Sequence, residues 1–201
     1  MTLFMENELI KSDILNIVKS IIPYDKLEEE HIKDIIEWIS SGVNIFRIKK
    51  DAIPPKHLVS YSVVIDLEKQ KILLLDHKKA LLMLPSGGHI DINEMPFETA
   101  KRELYEELEL SLEPILKNKA IPFFATVTQT VGISEKHTDV SLWFLFKGDS
   151  TKDINNETSE FKKEFEDYHW LDFNKILSMP ISRFDPHMHR FVEKLKLNLV
   201  E

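Results

Sequence analysis

The sequence predicts an α/β fold: an α/β/α sandwich around a mixed β-sheet, with an N-terminal helical extension. Three observations carry this. Apolar residues recur at helical spacing in two stretches before residue 40 and again over residues 96–108. Runs of strand length and β-bias lie at 57–65, 71–77 and 140–146. The order is helices, strands, a helix, more strands and a closing helix, which interleaves the two periods as a sheet covered on both faces requires.

The first expected helix covers residues 8–22, where Leu9, Ile10, Ile14, Ile17, Val18 and Ile21 follow helical spacing and Pro23 stops it. Asp25 with Glu28 has the pattern of a capping box for a second helix. Its stripe is Leu27, Ile32, Ile35, Ile36 and Ile39, with Trp38 beside it, and Ser40-Ser41-Gly42 ends it. The two helices make an extension over residues 1–50 that is too small to fold alone. They could cap the core, form a homodimer contact or overhang a substrate; plain packing is the ordinary use of such stripes. Residues 51–55, with Pro54-Pro55, read as the linker into a core domain over 57–198.

The core opens with alternation along 57–65, turns at 66–70, and continues in the apolar run Ile72-Leu73-Leu74-Leu75. A hairpin there delivers the chain to Leu81-Leu82-Met83-Leu84 and to a glycine loop at Gly87-Gly88. Glu94 follows six residues after Gly88, and Pro96 opens a run of good helix formers. Phe97, Ala100, Leu104 and Leu108 make its core stripe. Glu103, Glu106 and Glu107 project within about 100° of one another on the adjoining face. Carboxylates crowded in this way repel, or raise one another's pKa, unless a cation sits among them. Hard divalent cations take carboxylate and carbonyl oxygens. A solvated acidic face is the plain alternative, and the upstream glycines, Glu94 and the Arg102-Glu103 pair weigh against it.

These residues resemble the signature of the Nudix (MutT-like) hydrolase family: Gly, five residues, Glu, seven residues, Arg-Glu, an apolar residue, any residue, Glu-Glu, any residue, Gly, an apolar residue. Here it reads Gly88, Glu94, Arg102, Glu103, Leu104, Glu106, Glu107, Glu109, Leu110. Glu109 stands where the family has its last glycine, so the helix either runs on or leaves differently. Pro85-Ser86-Gly87-Gly88 stands where the family usually has Pro-Gly-Gly. The resemblance implies a Nudix-type sandwich and hydrolysis of a diphosphate bond. It implies Mg²⁺, with Mn²⁺ as a substitute, on Glu103, Glu106, Glu107 and the Gly87 carbonyl. One carboxylate takes the proton of the attacking water, Arg102 orients its neighbours, and Glu94 supports the loop.

Beyond the helix, 120–131 has a β-bias and 140–146 is a continuous apolar run suited to a strand covered on both faces. His137 and Asp139 stand at the mouth of the second strand as candidates for touching a base or sugar, with a turn and a solvated histidine as the plain reading; His89, directly after the glycines, is a separate candidate for touching a phosphate, with a positional role as its plain reading. No third ligand stands near them at a metal spacing in sequence. Residues 148–156 are a polar loop. Glu160 and Glu164 follow in what reads as the same loop, and both are candidates for a further metal ligand or base, on the resemblance alone. A short strand at 168–171, a short helix at 172–179 and a surface helix at 185–198 close the chain. His187 and His189, two apart, fall on different helix faces.

Composition sets limits. The 201 residues are 43% hydrophobic and 30% charged, ordinary for a soluble globular chain. Without cysteine there is no disulfide, thiolate zinc site or cysteine nucleophile, which suits a reducing cytoplasm. The first residues lack the basic and apolar regions of a signal peptide, and no apolar run reaches membrane-spanning length. A formal net charge of −8 argues against nucleic acid as a partner and leaves a small nucleotide-type substrate open, since a bound cation reverses the local sign. Two rivals share the fold: a catalytically inactive ligand-sensing or regulatory module, and an allylic diphosphate isomerase, whose cysteine is missing here.

Overall fold

The computed structural model describes residues 3–49, 53–130 and 136–199. Outside them lie residues 1–2, residues 50–52 with Asp51 and Ala52 of the expected linker, residues 200–201, and residues 131–135, which include the end of the strand expected at 120–131 and the Gly132–Glu135 part of the loop before His137. One seven-stranded sheet organises the rest. Its strands are β1 (Lys56–Asp66), β2 (Lys71–His77), β3 (Leu82–Leu84), β4 (Ser86–His89), β5 (Phe124–Gln129), β6 (Thr138–Lys147) and β7 (Phe165–Asp172). They run β3-β2-β1-β6-β5, with β4 also on β1 and β7 on β2. The β1–β6 pairing is parallel and the others are antiparallel, so the sheet is mixed.

Each face of the sheet has its own core. One holds Leu58, Val64, Val140, Leu142, Phe144 and Phe146 under the apolar sides of α1 (Leu3–Lys19), α2 (Lys26–Ser40), α3 (Pro96–Leu108) and α4 (Ser159–Glu164). The other holds Val63, Ile65, Ile72, Leu74, Trp143 and Leu145 under α5 (Phe173–Ser178) and α6 (Met188–Leu199). Two layers of helix on one sheet make the α/β/α sandwich that the interleaved periods predict. Strand β1 is buried along nearly its whole length because both faces are covered. Among the described residues no helix is long and apolar enough to cross a membrane.

The N-terminal helices pack on the core. Ile14, Val18, Ile21, Ile32, Ile35 and Ile39 join the first core. The helices differ from expectation at their ends. The first spans Leu3–Lys19 rather than 8–22, and Leu9 and Leu27, both placed in the stripes, are 54% and 40% exposed. Asp25 caps α2 as expected by accepting from the Glu28 N–H at 2.8 Å. Glu28, however, is fully buried and bonded to Lys194 of α6. Helix α6 is accordingly no surface helix: Met188, Phe191, Val192, Lys194 and Leu195 are buried, and only its outer side, with Leu197, meets solvent. Lysines at helical spacing disguise it, because one of them carries a buried charge partner.

The glycines are not in a loop. Gly87 and Gly88 belong to β4, paired antiparallel with Tyr61 and Ser60 of β1. Their small size is what permits this, since a Cβ on Gly87 would overlap the Ser60 carbonyl oxygen.

Candidate active site

Helix α3 begins at Pro96 and is clamped to β1 from below. Ser60 Oγ donates to Pro96 O at 2.7 Å and Ser62 Oγ donates to Ala100 O at 2.6 Å. Phe97, Ala100, Leu104 and Leu108 are all buried, as their spacing predicts. At the other end Glu109 takes φ 55° and ψ 29°, the left-handed region. The helix therefore stops where a glycine would have stopped it, at a cost of about 1–2 kcal/mol for a side chain in that conformation. The Glu109 N–H still donates to Tyr105 O at 2.8 Å, and Asn155 Nδ2 donates to Glu109 Oε2 at 2.9 Å.

On the adjoining face Arg102 is the hub. It forks onto Glu94, Nε to Oε1 at 3.0 Å and Nη2 to Oε2 at 2.9 Å. Its Nη1 donates to Glu103 Oε1 at 2.7 Å and to Glu106 Oε2 at 3.3 Å, and Nη2 also reaches the His89 carbonyl at 3.3 Å. Burial pushes the Glu94 carboxyl up, but the donors from Arg102 and Thr99 together hold it below its ordinary value. Glu94 is thus a fixed anion that orients the guanidinium, and the guanidinium orients the helix carboxylates.

Glu103 and Glu107 face inward, whereas the Glu106 side chain is 54% exposed. Burial raises the Glu103 carboxyl, with the charges of Glu106 and Glu164 adding to it and Arg102 opposing. Burial raises Glu107 well above its usual value, and Glu103 and Glu164 push the same way. The Gly87 N–H donates to its Oε2 at 3.2 Å. Gly88 lies directly under Glu103, where a Cβ would stand 2.5 Å from the carboxyl carbon. The set carries more negative charge than the single guanidinium can offset, and its donors are hard oxygens. These residues therefore fit a divalent cation of the Mg²⁺ kind. A cavity of about 360 Å³ beyond the C-terminal end of α3 has none of these carboxylates in its lining, so chemistry rather than cavity size marks the site.

The remaining candidates separate. Glu164 ends α4 and its charge acts on both Glu103 and Glu107, whereas Glu160 is exposed on the same helix and accepts from Ser159 Oγ at 2.6 Å. His89, His137 and Asp139 lie together on the other side of the sheet. Ser60 and Ser62 point to α3, so by alternation His57 points away from it. Asp139 is the register partner of His57, and His89 pairs with Val59 on that same face. Sequence spacing offers no third candidate beside His137 and Asp139, and the fold brings two from elsewhere in the chain. His57 and His89 complete a group of four whose ligand atoms all lie within 4.8 Å of one another. Parallel pairing of β1 with β6 brings His57 to Asp139 across 82 residues of chain, and no local spacing signals that. Asp139 also acts on Asp185, buried at the start of the segment leading into α6: burial pushes the Asp185 carboxyl up to about 7, and Asp139 adds to the rise.

Residues 56–195 match the family model of the NUDIX domain. The chain is 34% identical over 113 residues to an RNA pyrophosphohydrolase of Bartonella henselae (strain ATCC 49882 / DSM 28221 / CCUG 30454 / Houston 1), a match covering 53% of this chain and 64% of that protein. The chain thus spans somewhat under two thirds of the length of that curated relative. Among solved structures, a hydrolase of the NUDIX family from Clostridium perfringens superposes with a TM-score of 0.51 at 24% identity, covering 70% of this chain and 97% of that one. The MutT protein from Methanosarcina mazei Go1 superposes with a TM-score of 0.50 at 19% identity, covering 68% and 90%. At these identities the two structures speak to the fold alone.

Proposed function

The chain belongs to the Nudix family, and on that premise we propose that it is a pyrophosphohydrolase that uses a divalent metal ion to split the diphosphate bond of a nucleoside diphosphate linked to a further group. One observation carries the reading. Arg102 holds Glu94, Glu103 and Glu106 in a single network while Glu107 is buried against the Gly87 N–H, so the carboxylates are positioned before any substrate arrives.

Glu103, Glu106 and Glu107 are the side chains that would hold Mg²⁺ or Mn²⁺. The Gly87 backbone stands beside them on β4. When bound, the ion supplies neutralising charge for the phosphates and lowers the pKa of water. The chain does the rest. Arg102 keeps Glu103 and Glu106 turned to one side, and Glu94 keeps Arg102 in place. A carboxylate of the set, with Glu164 the candidate from outside the helix, takes a proton from the attacking water. Water oxygen bonds to phosphorus, the bridging P–O bond breaks, and the elements of water are shared between two phosphate products.

Charge and relatives guide the choice of substrates to try. The Bartonella protein is named for RNA, so the 5′-triphosphate end of an RNA belongs in the panel. A net charge of −8 favours a small nucleotide over a long polyanion. The test is product analysis with Mg²⁺ over nucleoside triphosphates, dinucleotides, nucleotide sugars, CDP-alcohols and 5′-triphosphorylated RNA, with Glu107→Gln beside wild type. Turnover that is lost in the variant is expected. A folded wild type that turns over nothing in the panel would leave the inactive sensing module as the reading.

A further inference from the structure

His57, His89, His137 and Asp139 take no part in the reading above. We propose that these four side chains form a site for a borderline transition-metal ion of the Zn²⁺ class, on the sheet face opposite the α3 carboxylates. The donors are three imidazoles and one carboxylate, the N and O set that suits such an ion and that Mg²⁺ does not seek.

The geometry is near closure. His57 Nε2 and His137 Nε2 stand 3.4 and 3.2 Å from Asp139 Oδ1. Tetrahedral bonds of about 2.0–2.1 Å put neighbouring ligand atoms about 3.3–3.4 Å apart, so these two edges already have the length of a zinc site. The other pairs, all within 4.8 Å, need to close by at most about 1.4 Å to reach the same edge. Outer contacts set the tautomers. His57 Nδ1 lies 2.8 Å from the Pro54 carbonyl, which can only accept, so Nδ1 carries the hydrogen and Nε2 is turned inward. His137 Nδ1 meets Thr130 Oγ1 at 3.3 Å, which leaves its Nε2 toward Asp139. Ligating histidines are ordinarily fixed through their second nitrogen in this way.

His89 is the open corner of the cluster. Among the described residues its Nε2 is buried and makes no hydrogen bond, whereas Asp139 Oδ1 faces the Nε2 atoms of His57 and His137, and the His57 side chain has no solvent exposure. The His57 ring lies 4.7 Å from that of His89 and 4.9 Å from that of His137, centroid to centroid. One carboxylate can neutralise one imidazolium, not three in such proximity, whereas neutral imidazoles aimed at a common point are a ligand set. A bound ion would tie the start of β1, the end of β4 and the start of β6. Strand β4 carries Gly87 and Gly88 under Glu107 and Glu103, so the ion would brace the strand on which the carboxylates rest.

The test is metal content and coordination of the full chain. Protein stripped with a chelator and dialysed against equimolar ZnCl₂ in excess Mg²⁺ should retain one zinc per chain and melt at a higher temperature than the stripped form. Co²⁺ in its place should give the intense visible bands of four-coordinate cobalt. His89→Ala and His137→Ala should each weaken zinc binding at least about 100-fold, the upper reach of outer-contact losses at such sites. The double variant Glu106→Gln/Glu107→Gln should keep the zinc and the cobalt spectrum. Zinc that wild type does not retain, a six-coordinate cobalt spectrum, or equal retention by the histidine variants overturns the site. If a histidine variant does not fold, the wild-type cobalt spectrum and the glutamine double variant still decide. Hydrolysis lost in the glutamine variant with zinc retained separates this site from the hydrolytic one.

Discussion

Lys194 Nζ sits 2.9 and 3.0 Å from the two carboxylate oxygens of Glu28, with 5% and 0% of the side chains exposed. The pair joins α6 of one layer to α2 of the other across the β5 edge of the sheet. Glu28 Oε1 also accepts from the Ala125 N–H of that edge strand at 3.2 Å, and Oε2 accepts from Tyr24 N–H at 2.6 Å. The carboxylate is therefore a cap for an open sheet edge as well as an ion partner. Burial raises Glu28 and lowers Lys194, so each relies on the other to stay charged. Lys194→Met should destabilise the chain by about 3–5 kcal/mol, because it leaves a carboxylate buried without its cation. Urea unfolding measures this; a loss below about 1 kcal/mol would mean that the pair is solvated in solution.

Gly88→Ala tests the packing of β4 under α3. The added methyl meets the end of a flexible side chain rather than backbone, so Glu103 must swing away while the fold gives little. Stability should change by less than about 1 kcal/mol, within the range of strain a shifted side chain can absorb. Hydrolysis should fall on the order of 100-fold, since a displacement of about 1 Å at a reacting group is enough. Turnover equal to wild type in the folded variant would show that Glu103 is not a positioned group.

Glu107→Gln should invert its effect with metal. The Glu107 carboxyl is raised above its ordinary value of 4.5 by burial, so without metal its ionisation costs stability as pH rises from there. In chelator at pH 8 the variant should melt at or above wild type. As Mg²⁺ or Mn²⁺ is added, wild type should gain by mass action and the variant less, and hydrolysis should drop by orders of magnitude. Melting curves over a metal series, beside turnover, check both halves; parallel gains in the two proteins would remove Glu107 from the ligand set.

Asp185→Asn isolates a buried acid. Asp185 Oδ1 accepts from the His187 N–H at 2.8 Å, a bond that asparagine can keep. Burial lifts its pKa from 3.8 to about 7, so the folded state loses stability as pH rises between these values and the loss is complete above the higher one. The substitution should stabilise the metal-free protein more at pH 8 than at pH 5, by on the order of 2 kcal/mol. Denaturant unfolding at the two pH values measures the difference, and an equal effect at both would place the carboxyl in contact with water.

What depends on neighbours along the chain is legible in the residues alone. A helix face is fixed by residues three and four apart, so Phe97 with Ala100, Leu104 and Leu108, and Glu103 with Glu106 and Glu107, could be placed before any fold was known. The same local rule gave the strand periods, the Asp25 cap and the family resemblance in residues 87–110. Tertiary structure decided whatever depends on register between distant segments. Pairing of β4 with β1 turned an expected glycine loop into a strand and set Gly88 under Glu103. Parallel pairing of β1 with β6 put His57 beside Asp139. Packing of α6 buried Lys194, which its own helix presents as one basic residue among several. Helical and strand periods are short-range geometry written into each segment, whereas a register is chosen by the summed burial of two whole segments, and no single residue announces it.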